Sequence, residues 1–186
     1  SGPILDGKLE VGQPETLYKD GKYQHVPLVI GTNSMDLGFP TGRTIQQIFA
    51  PFGANAEKAE KAYGATASSN VFLVGMRVAA SAMMLEPARF VAQTLSSQGD
   101  PVWEYRFGYV AGSMRSKWPG APHATEIPYV FDTVKAKYGA ATTAEDEKIG
   151  EQTNTYWANF AKTGNPNGSG QPEWPRYNAS KDVLMD

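Results

Sequence analysis

The chain has 186 residues, of which 41% are hydrophobic and 19% charged, and its formal net charge is −2. This is enough chain to bury the core of one domain, and the composition is that of an ordinary globular protein rather than a disordered one. The complete absence of cysteine excludes disulfides, thiolate metal sites and a cysteine nucleophile.

Partners and compartment are only loosely constrained by the sequence. The chain has no run of Lys or Arg residues that would predict binding to nucleic acid or to an anionic membrane surface. No stretch approaches the ~20 consecutive apolar residues of a membrane-spanning helix, so neither nucleic acid nor a membrane is expected as a partner. The first residues, Ser1–Gly7, show no signal-peptide pattern. The cellular location stays open, and a soluble extracytoplasmic protein is compatible with this sequence.

The first part of the chain predicts a loop followed by a buried strand. Residues 1–25 are rich in Gly and Pro and are expected to form an extended lead-in. Val26–Thr32 is a short apolar run, typical of a strand that is buried on both faces in a parallel sheet covered by helices. The polar cluster Thr32–Asp36 follows at the strand's end, where catalytic groups collect in open α/β sheets.

Helices are predicted next along the chain. One is expected over residues 43–52 and another over 54–63, where Ala, Glu and Lys dominate and Gly64 provides a C-cap. Residues 70–98 carry the longest apolar stripe with helical spacing. Because Pro87 interrupts this stripe, it predicts two helices or a marked kink.

Val102–Val110 shows the clearest strand pattern in the chain. Aromatic side chains alternate with Glu104, Arg106 and Gly108, so one face of the strand is a row of aromatic rings. Such a row can bind bases or sugars, but packing against a layer of helices is the commoner role and is the one expected here.

The last third predicts a long helix and an anchored tail. Thr142–Glu145 has the spacing of a capping box, and the helix that follows is expected to end at Gly164. The tryptophan and tyrosine of Trp174–Tyr177 are expected to anchor the tail, and residues 182–185 to form a terminal strand.

His123, one of only two histidines, lies on a tight loop between Gly120 and Pro128. A neutral imidazole is well suited to proton transfer near neutral pH, and a loop fixed by Gly and Pro can hold such a group at a surface. The alternative is that His123 only makes a structural hydrogen bond in its loop.

The sequence around His123 resembles that of a known family. The segment Gly120-Ala-Pro-His-Ala-Thr-Glu-Ile-Pro-Tyr-Val-Phe131 is similar to the sequence around the catalytic histidine of the type B carboxylesterases, the family of the para-nitrobenzyl esterases and cholinesterases. Further similar stretches occur in the order expected for that family: Val26–Asp36, Pro101–Phe107, and Tyr156–Pro166 followed by Trp174–Tyr177.

This resemblance implies an α/β fold, the C-terminal part of an α/β-hydrolase, with mainly parallel strands and flanking helices. Residues 1–186 are then the C-terminal segment of a single domain, and the nucleophile-bearing N-terminal part lies outside this chain. In agreement, the chain contains neither a Gly-x-Ser-x-Gly motif nor the Gly-rich oxyanion segment that accompanies it.

Two residues match the family's catalytic positions. His123 falls on the family's histidine and Asp36 on its acidic member, in the chain order acid then histidine that α/β-hydrolases share. Asp36 would accept the Nδ1 proton of His123 and stabilise the imidazolium. The family usually reads Asp-Glu-Gly here, whereas this chain has Met35-Asp36-Leu37, so its acid is shorter by a methylene group.

Each of these residues also has an alternative role. Asp36 has the alternative of a helix N-cap or Asx-turn residue. Ser34 is not on a strand-to-helix turn and is a poor candidate nucleophile. His123 and Glu126 have the spacing of metal ligands on a helix, but prolines bracket them and His25 is the only other histidine. No metal and no cofactor is therefore predicted.

The function predicted from the sequence is that of a serine carboxylesterase. This chain would contribute Asp36 and His123 to a Ser-Asp-His triad, and its partners would be a small-molecule ester substrate and the N-terminal part of the same enzyme. The alternative is a catalytically inactive, cholinesterase-like binding or adhesion domain. A free-standing interaction domain without an active site is a third possibility.

Overall fold

Two parallel strands with helices on both faces form the centre of the fold in the computed structural model, which describes residues 4–40 and 42–186. β1 (Leu28–Asn33) and β2 (Val102–Phe107) pair in register from Leu28 opposite Val102 to Asn33 opposite Phe107. The α-helices are α1 (Pro14–Lys19), α2 (Ile45–Phe49), α3 (Ala56–Ala62), α4 (Val71–Ala80), α5 (Glu86–Ser97), α6 (Ile127–Val130), α7 (Val134–Tyr138) and α8 (Ala144–Thr163). Short 3₁₀ segments lie at Ala50–Asn55, Gly112–Met114 and Gly139–Ala141.

One face of the sheet packs against α5. Ala92 and Leu95 of α5 form a buried cluster with Val102 of β2 and with Tyr177 of the tail. Both strands were predicted close to their observed bounds, although β2 ends at Phe107 rather than at residue 110.

The other face packs against α8 through aromatic side chains. The Trp103 ring lies edge-on to Phe160, with centroids 6.0 Å apart, and the Tyr105 ring lies edge-on to Trp157 at 5.2 Å. Trp174 of the tail is only 1% exposed and completes the cluster. The prediction that the aromatic row of β2 packs against a helix layer is confirmed.

A separate small core joins the helices between the strands. Ile45, Ile48 and Phe49 of α2 pack against Val74 of α4. Thr44 caps α2, because its side chain accepts a hydrogen bond from the Gln47 N–H. Gly64, which follows α3, has a φ of 62°, as predicted for its capping role.

The long helical stretch before β2 is irregular where Pro87 predicted a kink. A π-helical turn, Ser81–Leu85, separates α4 from α5, and Pro87 lies in the first turn of α5. Because proline has no N–H to bond the preceding turn, the wider π turn accommodates the missing hydrogen bond.

By length and composition, the continuous helical stretch Val71–Ser97 is able to cross a membrane. The sequence predicted a helical stripe over residues 70–98 but no stretch apolar enough to span a membrane. A single helix of this kind is a weak indication of a membrane protein, since core helices of globular proteins have the same composition.

Three details differ from the sequence-based expectations. The lead-in is not entirely extended, because α1 forms at Pro14, a residue preorganised for the first helical turn. The capping box of α8 is formed by Thr143 and Asp146, one residue later than predicted. The tail adds no full terminal strand, only a parallel bridge between Met185 and Tyr105.

Candidate active site

The two predicted site residues lie on loops that leave the same edge of the sheet. β1 and β2 are parallel, so their carboxyl ends lie side by side, and the chain leads from these ends to Asp36 and His123. The loops are joined directly, because the Met35 N–H donates to the Ala121 carbonyl (2.9 Å). In return, the Ala121 N–H donates to the Ser34 hydroxyl oxygen at 2.9 Å.

Gly120 permits this close approach. A Cβ atom at residue 120 would lie 2.6 Å from the Met35 Cγ, closer than non-bonded carbon atoms approach each other. Glycine at this position therefore allows the two loops to come together.

Asp36 and His123 are in hydrogen-bonding contact. Their Oδ1 and Nδ1 atoms lie 2.5 Å apart. The Asp36 residue is 6% exposed, whereas the His123 side chain is 55% exposed. A buried carboxylate thus holds one nitrogen of an imidazole whose ring is open to the surface.

Asp36 is held in place by its own loop. Its Oδ2 accepts the Asn33 N–H at 2.9 Å, and its Oδ1 accepts the Leu37 N–H at 2.7 Å. Neither bond is the one to the N–H two residues on that defines an Asx-turn. No helix begins within the described residues 37–40 either, so Asp36 is not a helix N-cap. Backbone N–H groups on both sides of Asp36 therefore hold its carboxylate, which also contacts His123.

The arrangement suits an imidazole that accepts protons. A carboxylate acceptor at Nδ1 favours the tautomer with the hydrogen on Nδ1, which leaves the Nε2 lone pair free. The same carboxylate stabilises the imidazolium that forms when Nε2 takes up a proton.

Asn33 is a part of this site that the sequence did not predict. Its side-chain Nδ2 donates to the Pro122 carbonyl (2.7 Å) and to Glu126 Oε2 (2.5 Å), so it bridges to the loop that carries His123. The available signal was its place in the polar cluster Thr32–Asp36 at the end of a buried strand. Burial raises the pKa of Tyr105 in β2 to about 12, and the negative charges of Glu126 and Asp36 contribute to this rise.

The other candidates of the sequence analysis lie elsewhere or are otherwise engaged. His25 contacts Asp100, whose carboxylate oxygens are both 3.0 Å from its Nδ1. Ser34 follows β1 in a turn and its hydroxyl accepts the Ala121 N–H. Within residues 4–40 and 42–186, no group of three or more His, Asp or Glu side chains is placed to hold a metal ion.

An open cleft of about 640 Å³ lies beside the joined loops. Ser34, Met35 and Gly120 contribute to its wall, together with Arg77 and Arg106. Within the described part of the chain, neither Asp36 nor His123 lines this cleft.

Comparisons with known proteins agree with the resemblance seen in the sequence. Residues 55–186 match the model of the carboxylesterase family. Carboxylesterase 1D of Rattus norvegicus is 27% identical over 210 residues, covering 97% of this chain and 36% of that protein. Carboxylesterase 4A of Bos taurus is 36% identical over 106 residues, covering 53% of this chain and 19% of its own length.

Solved structures show the same fold. The chain matches carboxylesterase EST55 of Geobacillus stearothermophilus with a TM-score of 0.73 and 25% identity, covering 98% of this chain and 41% of that one. A PNB esterase structure matches with a TM-score of 0.70 and 27% identity, over 94% of this chain and 37% of its own. The predicted α/β-hydrolase fold is confirmed.

The chain spans a little over a third of the length of the curated relatives that it matches most fully. The family model covers well over half of the chain, and the structural matches extend over nearly all of it. The chain belongs to the carboxylesterase family.

Proposed function

We propose that this chain contributes the acid and the base of a serine carboxylesterase, with Asp36 and His123 acting on a small-molecule ester. The observation that carries the proposal is the 2.5 Å contact between the buried Asp36 carboxylate and the exposed His123 imidazole. Relatives named for ester hydrolysis, among them a cocaine esterase of Homo sapiens at 25% identity, support the reaction class.

The proposed nucleophile is a serine in an N-terminal part of the same domain, of which residues 1–186 form the C-terminal segment. Two observations support this division. The chain spans 36% to 38% of the length of relatives such as the carboxylesterases 1D and 1C of Rattus norvegicus. It also has no Gly-x-Ser-x-Gly motif of its own.

The proposed chemistry is acyl transfer in two steps. His123 Nε2 takes the proton of the serine hydroxyl as the oxygen attacks the ester carbonyl, and it then gives this proton to the departing alkoxide. Water repeats the sequence on the acyl-enzyme and releases the acid. Asp36 keeps the imidazole in the required tautomer and stabilises its charged form throughout, and no cofactor is needed.

The shorter acid is compatible with this role. Asp36 replaces the longer glutamate usual in the family, yet its Oδ1 reaches His123 Nδ1 at 2.5 Å. The backbone contact between Met35 and Ala121 brings the two loops close enough for an aspartate. The inactive binding-domain alternative has no specific support from this geometry, because both proposed triad members are present and in contact.

Replacement of His123 tests the proposal in the polypeptide that carries the nucleophile. We expect His123→Ala to lower kcat for a simple aryl ester by about 10⁴-fold or more, since the general base is lost. The matched control is His25→Ala, which removes the other histidine and should change kcat less than tenfold. A loss below tenfold for His123→Ala contradicts the proposed role.

Labelling with a fluorophosphonate locates the nucleophile independently. The reagent should attach to a serine outside residues 1–186, and Ser34→Ala should label as well as the unchanged protein. Loss of labelling in Ser34→Ala would place the nucleophile inside this chain and overturn the proposed division. A protein that resists the reagent altogether while folded would favour the inactive binding domain.

A further inference from the structure

Asn33 connects the two loops of the proposed site through three hydrogen bonds. It is the last residue of β1 and is 6% exposed. Its backbone N–H donates to Asp36 Oδ2 at 2.9 Å. Its side-chain Nδ2 donates to the Pro122 carbonyl at 2.7 Å and to Glu126 Oε2 at 2.5 Å. The same residue therefore holds the acid on one side and the histidine loop on the other.

Both hydrogens of the Asn33 side-chain amide are donated to the loop that carries His123. An amide nitrogen has two hydrogens, and each has an acceptor here, Pro122 and Glu126. Because both neighbours are acceptors, only the nitrogen of the amide satisfies them, which fixes the orientation of the Asn33 side chain. The hydrogen bond between Asn33 and Glu126 therefore orients both side chains.

The two acceptors enclose His123. Pro122 precedes His123 directly, and Glu126 follows three residues later, so one amide closes both ends of the turn. Within this turn Ala124 has a φ of 63°, a left-handed conformation that costs a non-glycine residue about 1 kcal/mol. The Thr125 N–H closes the turn on the Pro122 carbonyl at 3.2 Å. A strained turn of this kind needs contacts from outside to keep its shape.

We propose that Asn33 and Glu126 are positioning residues, which together set the geometry between His123 and Asp36. This inference rests on the proposed function for its catalytic meaning, because neither residue is assigned a contact with the reacting atoms. Glu126 acts through the acceptor that it offers to Asn33. The negative charge of Glu126 is the competing explanation.

Two substitutions of Glu126 separate these explanations. Gln keeps an oxygen acceptor for the Asn33 amide but removes the charge, whereas Ala removes both. A positioning role predicts that Glu126→Gln lowers kcat less than threefold and that Glu126→Ala lowers it about 10- to 100-fold, with KM little changed. A charge effect predicts that both variants lose activity equally.

Asn33→Asp tests the other half of the pair. The substitution keeps the size of the side chain but turns an acceptor towards Pro122 and Glu126, so both hydrogen bonds are lost. We expect a loss of kcat similar to that of Glu126→Ala. The double variant with both changes should be little worse than either single one, since the two residues act as a unit. Glu173→Ala, at an exposed position of the tail, serves as the control.

The geometry itself is read by NMR of the full-length polypeptide labelled with ¹⁵N-histidine. A low-field Nδ1 proton resonance reports the hydrogen bond from His123 to Asp36, and its absence in His123→Gln assigns it. The resonance should persist in Glu126→Gln and should be weakened by exchange in Glu126→Ala and Asn33→Asp. If Asn33→Asp fails to fold, the comparison of the two Glu126 variants still decides the question.

The outcomes are distinct. A lost resonance together with a lowered kcat in Glu126→Ala, and neither in Glu126→Gln, supports the positioning pair. Equal damage in both Glu126 variants with the resonance intact overturns it in favour of charge. Unchanged kcat and resonance in all variants also overturns it. If the unchanged protein hydrolyses no ester, the proposed function fails, and the resonance alone still tests the pair.

Discussion

Glu104 is a buried acid in the middle of β2. It is 2% exposed and lies on the face of the strand opposite Trp103 and Tyr105. Burial raises the pKa of its carboxyl to about 7; the charge of Asp182 adds to the rise and that of Arg89 opposes it. The sequence placed Glu104 on the second face of the strand but did not predict that this face is covered as well.

The raised pKa of Glu104 predicts a loss of stability as the pH rises from 4.5 through 7. The folded state holds the Glu104 proton up to about pH 7, whereas the unfolded state releases it near the ordinary value of 4.5. The free energy of unfolding should therefore be fully retained below pH 4.5 and fall by about 1 to 3 kcal/mol as the pH rises through 7. Glu104→Gln, which cannot ionise, should remove this part of the pH dependence. Urea unfolding between pH 4.5 and 8.5 measures it.

The exposed Glu151 provides the control for this prediction. Glu151→Gln, on α8, should leave the pH dependence of unfolding as it is in the unchanged protein. A Glu104→Gln variant whose stability still falls between pH 4.5 and 7 by the same amount would show that another group is responsible.

The individual residues of the candidate site could be predicted only in part from the sequence. The pattern of a polar cluster after a buried strand, and of a Gly- and Pro-bounded histidine, located Asp36 and His123, and the structure brings them into contact. The role of Asn33 could not be predicted, because its partners Pro122 and Glu126 are distant in sequence and common in type. Their meeting depends on the register of two parallel strands.

Among the elements, α8 is fixed at its start by a buried carboxylate. Asp146 accepts hydrogen bonds from the Thr143 N–H (2.8 Å), the Tyr109 hydroxyl (2.7 Å) and the Gly112 N–H (3.0 Å). Burial alone would raise the pKa of Asp146, but these hydrogen bonds hold it below its ordinary value. The cap thus joins α8 to the segment that follows β2.

Substitution of the cap residues should affect stability unequally. Thr143→Ala removes one capping acceptor and should lower the free energy of unfolding by about 1 kcal/mol. Asp146→Ala leaves three donors without a partner and should cost about 2 to 4 kcal/mol. Thr16→Ala, at an exposed position of α1, is the control and should change stability by less than about 0.5 kcal/mol. Denaturant unfolding at pH 7 measures all three.

The pH dependence of the cap has the opposite sign to that of Glu104. Because the pKa of Asp146 is lowered in the folded state, its contribution is present above the ordinary value of 3.8 and is lost as the pH falls below it. The difference in stability between the unchanged protein and Asp146→Ala should therefore narrow in acid. A difference that stays constant down to pH 2.5 would contradict the ionised cap.

Element types were predicted better than element ends. Alternation identified β2, and Pro87 marked the irregular turn between α4 and α5, because both signals depend on local backbone chemistry. The capping box was placed one residue early because Thr142 and Thr143 both have an acid three residues later, and only tertiary contacts of Asp146 select the second. Similarly, α1 depends on packing that turn-rich composition does not reveal.

At the scale of the whole molecule, the sheet is open on one side. Within the described ranges β1 pairs only with β2, so the other edge of β1 has no strand beside it. The far edge of β2 is partly covered by Met185, which exchanges hydrogen bonds with Glu104 and Arg106. Several large apolar side chains are exposed as well: Ile4, Leu9, Val11, Val26, Phe39, Phe72 and Phe131.

An open edge and exposed apolar groups predict that the isolated 186-residue chain self-associates. Unpaired strand edges recruit other strands, and the formal net charge of −2 provides little repulsion between copies. Sedimentation velocity across a range of concentrations should show species heavier than the 20.2 kDa monomer. Val26→Lys places a charge just before β1, where Val26 is 55% exposed, and should reduce the association. Thr16→Lys adds the same charge on α1 and should not. A concentration-independent monomer that unfolds cooperatively would show instead that the edge of β1 is protected within the chain itself, and that this segment needs no companion to be stable.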